Sequence, residues 1–138
     1  RMNSYSYDCE AILIPGEGGI GSIYHYINGK FEVHQRVYVI SEFKENILGK
    51  FIYLKMLYGF YNHAMTNSVK ATVDSLRLPT FLEFNVDIPP TIEEQITIAE
   101  IISDMEKEIE QLELKKAKCQ DIKQGMMQEL LTGKTRLV

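Results

Sequence analysis

Three short stretches of the 138-residue chain carry side chains that could do chemistry. The first is Gly16-Glu17-Gly18-Gly19-Ile20-Gly21, a G-x-G-x-x-G spacing directly after the apolar run Ala11-Ile12-Leu13-Ile14-Pro15. In a dinucleotide site the last glycine of that pattern opens a helix whose N-terminus holds a pyrophosphate. Here the next residues run toward Asn28-Gly29 in β-type sequence, so no helix dipole is available. The stretch reads as a φ-permissive loop between strands, or as a loop where Gly18 and Gly19 let a DNA backbone come close. The second stretch is His34-Gln35-Arg36. Arginine suits the edge of guanine and glutamine that of adenine, so the group could contact bases or phosphates. An ordinary strand with alternate residues in solvent is the competing reading. The third is Asn67-Ser68-Val69-Lys70-Ala71-Thr72, followed by Arg77. Lys70, Thr72 and Arg77 are of the types that position phosphates, and equally of the types found in a solvated loop.

Other chemistry finds little support. His25, His34 and His63 show no metal spacing, and neither Cys9 nor Cys119 has a Cys-x-x-Cys partner. No nucleophile, histidine and carboxylate form a recognisable catalytic set. Pro89-Pro90 stands between Ile88 and Thr91, without the flanking Asn and Tyr of the Asn-Pro-Pro-Tyr motif of amino-methyltransferases. The chain is therefore not expected to methylate, and neither a metal nor a resident cofactor is expected.

Over the whole chain, 45% of residues are hydrophobic and 25% charged, as in ordinary globular domains. Two cysteines 110 positions apart suit reduced thiols rather than a disulfide framework. With no long apolar run and no leader-like N-terminus, a soluble cytoplasmic protein is expected. Net charge is −4, from 15 Lys+Arg against 19 Asp+Glu. A basic footprint for nucleic acid is thus missing, and a DNA reading must rest on local patches.

The chain changes character near Ile88-Pro89-Pro90-Thr91. All 14 aromatics and seven of nine glycines precede it. An α+β class is expected, with a small mixed β-sheet domain over 1–90 and a long helix over 91–138. Strands are expected at Ala11–Pro15, Arg36–Ile40 and Phe84–Ile88, with a helix over Asn46–Asn62. Asn28-Gly29 suits a type I′ turn joining Ser22–Ile27 to Lys30–Val33 as a hairpin. Thr91 and Glu94 form a capping box that starts the long helix. From Ile98 through Ile102, Met105, Ile109 and Leu112 the apolar spacing is 4, 3, 4, 3, a coiled-coil seam. Lys116 takes the next seam position, with Cys119 and Met126 beyond it. A helix reaching Leu131 would be about 60 Å long, more than the preceding domain could cover, so another helix is expected to bury its seam.

The C-terminal region carries a resemblance. Ile88-Pro89-Pro90, Glu93-Glu94-Gln95 and Ile98-Ala99-Glu100-Ile101-Ile102 resemble the start of the conserved helix of type I restriction–modification specificity (S) subunits. Lys123-Gln124-Gly125-Met126-Met127-Gln128-Glu129-Leu130-Leu131-Thr132-Gly133-Lys134 resembles its end. Ile14 to Gly18, through His34-Gln35-Arg36-Val37-Tyr38, is similar to the interior of a target recognition domain of that family.

The resemblance implies a non-catalytic subunit with two recognition domains, each reading half of an interrupted double-stranded DNA target. Paired long helices hold those domains apart and dock methyltransferase subunits. S-adenosylmethionine would belong to the methyltransferase partner and ATP to the restriction subunit. This chain is much shorter. It is expected to hold one recognition domain lacking its opening strands, as a fragment or as a half-subunit that dimerises through the helix. The alternative class is a coiled-coil protein-interaction module without sequence-specific DNA binding, which the acidic balance favours.

Overall fold

The computed structural model describes residues 5–19, 21–67 and 76–137. The element order is β1 (Tyr7–Pro15), β2 (His25–Phe31), β3 (Val37–Ser41), α1 (Gly49–Asn67), α2 (Leu78–Leu82) and α3 (Ile92–Leu131). The chain divides into two compact units, Arg1–Ala99 and Glu100–Val138. The α+β class stands, and the sheet is wholly antiparallel, in the order β2-β1-β3.

β1 is the central strand because its middle is apolar and pairs on both edges. Ala11, Ile12 and Ile14 are fully buried. On one side Tyr7 faces Phe31 and Leu13 faces His25; on the other Ala11 faces Ser41 and Pro15 faces Val37. This register overturns the expected hairpin. Asn28 and Gly29 do not turn the chain but lie within β2, opposite Glu10 and Cys9. The physical reason is that β1 begins four residues earlier than its apolar run, and a long partner edge outweighs a local turn preference. The chain instead reverses in the glycine-rich loop between Pro15 and His25.

α1 lays Phe51, Leu54, Met56, Phe60 and Ala64 into the interior; Met56, Phe60 and Ala64 follow the four-residue spacing of one helical face. Phe60 is the hub: the rings of Phe81 and Phe84 stand 4.9 and 5.2 Å from it, and that of Tyr24 meets it edge-on at 6.3 Å. α2 was not foreseen, and the expected strand Phe84–Ile88 does not form. Its alternation serves packing, with Phe84 turned to the core, and no strand among the described residues pairs with it.

α3 begins after Thr91, as expected. The Thr91 hydroxyl oxygen accepts from the Glu94 backbone N–H at 3.4 Å. The buried positions of its first turns are Gln95 and Ala99, and Gln95 has no exposed surface. Its amide makes three bonds to two separate segments. Nε2 donates to the carbonyls of Asn46 (3.0 Å) and Pro89 (3.2 Å), and Oε1 accepts from the Leu48 N–H (2.9 Å). One side chain thus ties the approach to α1 and the diproline segment to the start of α3.

Two sheet-side phenols are also held. The Tyr24 hydroxyl donates to the Gly21 carbonyl, and burial pushes its pKa from 10.0 up to about 12. The Tyr26 hydroxyl donates to Glu10 Oε1 at 2.6 Å. Its pKa also rises to about 12, through burial first and then the hydrogen bond to, and charge of, Glu10. The Lys50 ammonium lies 5.2 Å from the same ring.

Replacing Gln95 with Leu leaves two carbonyls and one N–H without their partner. Urea denaturation is expected to show a loss of about 2–3 kcal/mol. The tyrosines define a second expectation. Both are neutral in the fold with raised pKa values, so their contribution is complete below pH 10 and is lost as pH rises through about 12. Unfolding free energy measured across that window should fall, and should fall less steeply for Tyr26→Phe.

Candidate nucleic-acid interface

Three segments meet at the C-terminal end of β1. The Gly16 N–H donates to the Arg36 carbonyl at 2.8 Å, one step beyond the Pro15–Val37 pair. The Gly16 carbonyl accepts from the Leu76 N–H at 2.9 Å, and the Tyr38 hydroxyl donates to the Leu76 carbonyl at 3.0 Å. Gly16 is required by this crowding: a Cβ there would lie 3.0 Å from the Arg36 carbonyl and 3.2 Å from the Tyr38 ring. An open cavity of about 350 Å³ results, lined by Glu17, Gln35, Arg36 and Tyr38 among others.

Of His34, Gln35 and Arg36, only Arg36 was expected in a strand, Arg36–Ile40, and none of the three belongs to β3. They occupy a turn before β3, closed by a bond from the Val37 N–H to the His34 carbonyl at 3.0 Å. In a strand their side chains would alternate; on this turn all three are exposed in succession. His34 Nδ1 accepts from the Arg36 N–H at 3.4 Å. Arg36 Nη1 donates to Glu17 Oε2 in an ion pair whose side chains are 63% and 45% exposed.

Gly18 and Gly19 adopt φ of 72° and 78°, a region that L side chains avoid. A Cβ on Gly18 would meet nothing within 4 Å, whereas one on Gly19 would strike Ile23 at 2.9 Å. The loop is pinned by Ser22, whose N–H and hydroxyl both donate to the Gly19 carbonyl. The element after it is β2, not a helix, as the sequence pattern indicated.

Arg77 is exposed and precedes α2, next to the buried Leu76 that bonds to Gly16. The backbone of Arg77 is thereby attached to the same cluster as Glu17 and Arg36. Lys70 and Thr72 lie outside the described residues. Sequence reasoning missed Glu17, Tyr38 and Leu76. Glu17 and Arg36 are 19 positions apart, and only the pairing of β1 with β3 brings them together.

Residues 1–119 match the family described as type I restriction modification DNA specificity domain. The chain belongs to that family. The family is one of DNA recognition. In this specificity domain the turn His34–Arg36 presents three exposed polar side chains beside the glycine loop. Among its described residues no three His, Cys, Asp or Glu side chains are grouped to hold a metal ion. No helix among them is long and apolar enough to cross a membrane.

On the specificity domain's long helix, the seam residues are placed as follows. Ile98 is half-buried, while Ile102, Met105, Ile109, Leu112, Cys119 and Met126 are exposed. Met105, Ile109, Leu112 and Met126 each leave more than half of their surface open. The polar flank is solvated, with Lys107 bonded to Asp104 at 2.8 Å. That exposed contact raises the Lys107 pKa but contributes little to stability.

Gly16→Ala is expected to push the Arg36 carbonyl away and weaken the bond beneath the ion pair. Amide exchange at residue 16 should accelerate at least tenfold, in line with the loss of about one hydrogen bond.

Proposed function

We propose that this chain is the sequence-specific DNA recognition subunit of a type I restriction–modification complex. It reads one half of an interrupted double-stranded target and docks the DNA methyltransferase subunit, and through the complex the restriction subunit. The observation that carries this reading is membership of the specificity-domain family together with three consecutive exposed side chains, His34, Gln35 and Arg36, on a hydrogen-bonded turn.

In this reading Gln35 and Arg36 contact base edges. His34, Lys70, Thr72 and Arg77 set the register on the backbone, and Gly18 and Gly19 admit the duplex closely. The chain is non-catalytic and cytoplasmic. S-adenosylmethionine sits on the methyltransferase partner and ATP on the restriction partner. The face formed by Ile98, Ile102, Met105, Ile109, Leu112, Cys119 and Met126 pairs with a second helix as a coiled coil. With a second copy of the chain, two-fold symmetry would set two recognition surfaces apart on an inverted repeat.

The second reading is a coiled-coil interaction module that does not select DNA sequence. The net charge of −4 and the open apolar seam favour it.

One experiment separates the two. The tagged chain is recovered from its native cell extract, its companions are identified by mass spectrometry, and its binding to selected and scrambled duplexes is compared. A co-purifying DNA methyltransferase subunit and a preference for the selected duplex support the first reading. Equal binding to both duplexes at moderate salt supports the second. Within the first, Arg36→Ala should relax base preference on the order of tenfold, whereas Lys70→Ala should weaken binding to all sequences alike.

A further inference from the structure

The ion pair between Arg36 and Glu17 is an unexpected companion for a DNA-contacting arginine. A guanidinium meant for a phosphate gains nothing from a carboxylate in direct contact. The carboxylate cancels its charge, releases no counterion and repels the approaching phosphate. The pair is nevertheless built in. Glu17 and Arg36 flank the 2.8 Å bond between the Gly16 N–H and the Arg36 carbonyl. The backbone beneath it is braced again by the Leu76 N–H on the Gly16 carbonyl and by the Tyr38 hydroxyl on the Leu76 carbonyl. Both side chains are open to solvent beside the same cavity as Gln35.

Contact with Glu17 uses one nitrogen of Arg36, Nη1. A guanidinium has five donors, so a fork remains for two further acceptors, and Glu17 Oε1 remains an acceptor of its own. Side by side, the two residues offer donor, donor, acceptor. A G·C pair shows the complementary row in the major groove: guanine N7 and O6 accept, and the cytosine N4 amino group donates.

We infer that Glu17 is a specificity-determining residue, and that Glu17 and Arg36 together read a single G·C base pair, Arg36 on guanine and Glu17 on the cytosine amino group. This rests on the DNA-recognition reading above and deepens it. The carboxylate has two effects. It adds an acceptor that an A·T pair does not satisfy in that position, and it denies Arg36 to phosphates, which holds down binding to arbitrary DNA.

The test is selection from a randomised duplex library by the full chain, comparing wild type, Glu17→Gln and Arg36→Ala, with thermal melting as the folding control. The wild type should enrich a motif with one invariant G·C position. Glu17→Gln should lose on the order of tenfold in preference at that position alone. It should also bind random duplex more tightly, with a log–log salt slope steeper by about one, because a released Arg36 can take a phosphate. Arg36→Ala should lose preference at the same position without that gain.

If Glu17→Gln selects the wild-type motif unchanged, or weakens every position equally, the inference is wrong while DNA recognition stands. If the wild type enriches no motif, DNA recognition itself fails and this inference falls with it.

Discussion

Every amide and carbonyl along a central strand has to be matched by a neighbour, and β1 is the strand in that position. Its two edges place the other strands. One edge recruits β2 from Phe31 back to His25, and the other recruits β3 from Val37 to Ser41. Because Pro15 is the last paired residue opposite Val37, the next residues on each chain, Gly16 and Arg36, are left close enough to bond. The candidate interface is therefore an extension of the sheet ladder rather than an independent loop structure. That makes its backbone stiff where its side chains are exposed, the arrangement a recognition surface needs.

The first turns of α3 are held by a polar anchor, Gln95, alongside the buried Ala99. Gln95 is fully buried and its amide reaches Asn46, Leu48 and Pro89. A buried amide with satisfied partners demands one geometry, whereas an apolar contact would tolerate sliding. Further along, Ile102, Met105, Ile109, Leu112 and Met126 of the same helix are exposed. Within one element, then, a specific anchor is followed by an exposed apolar row, the face that the proposed reading pairs with a second helix. This matches a specificity domain that works inside a larger assembly.

Charge at the interface follows the same economy. The chain is acidic overall, and its exposed arginine beside the cavity is already paired. In the proposed reading, a net charge of −4 and a paired arginine leave little general attraction to a duplex, and donor and acceptor patterns carry the discrimination. For a protein that selects one sequence among many competing sites, weak background binding is an advantage.

Local signals were enough for several features. The G-x-G-x-x-G pattern could be set aside as a nucleotide site because β-type sequence follows it, and β2 does follow. Thr91, Glu94 and the diproline located the start of α3, and the unbroken helical pattern carried it to Leu131. These are properties of a few neighbouring residues, so the chain's order alone settles them. Asn28-Gly29 shows where that stops: its turn preference is real but local, and the longer edge of β1 overrode it. The same holds for the strand expected at Phe84–Ile88, whose Phe84 packs into the ring cluster around Phe60 instead. The Glu17–Arg36 pair and the Gln95 anchor were invisible, since neither residue type nor spacing marks a partner 19 or 47 positions away. Such partners are chosen by strand register and helix packing, which sum many weak contacts across the whole domain, and only the folded structure decides them.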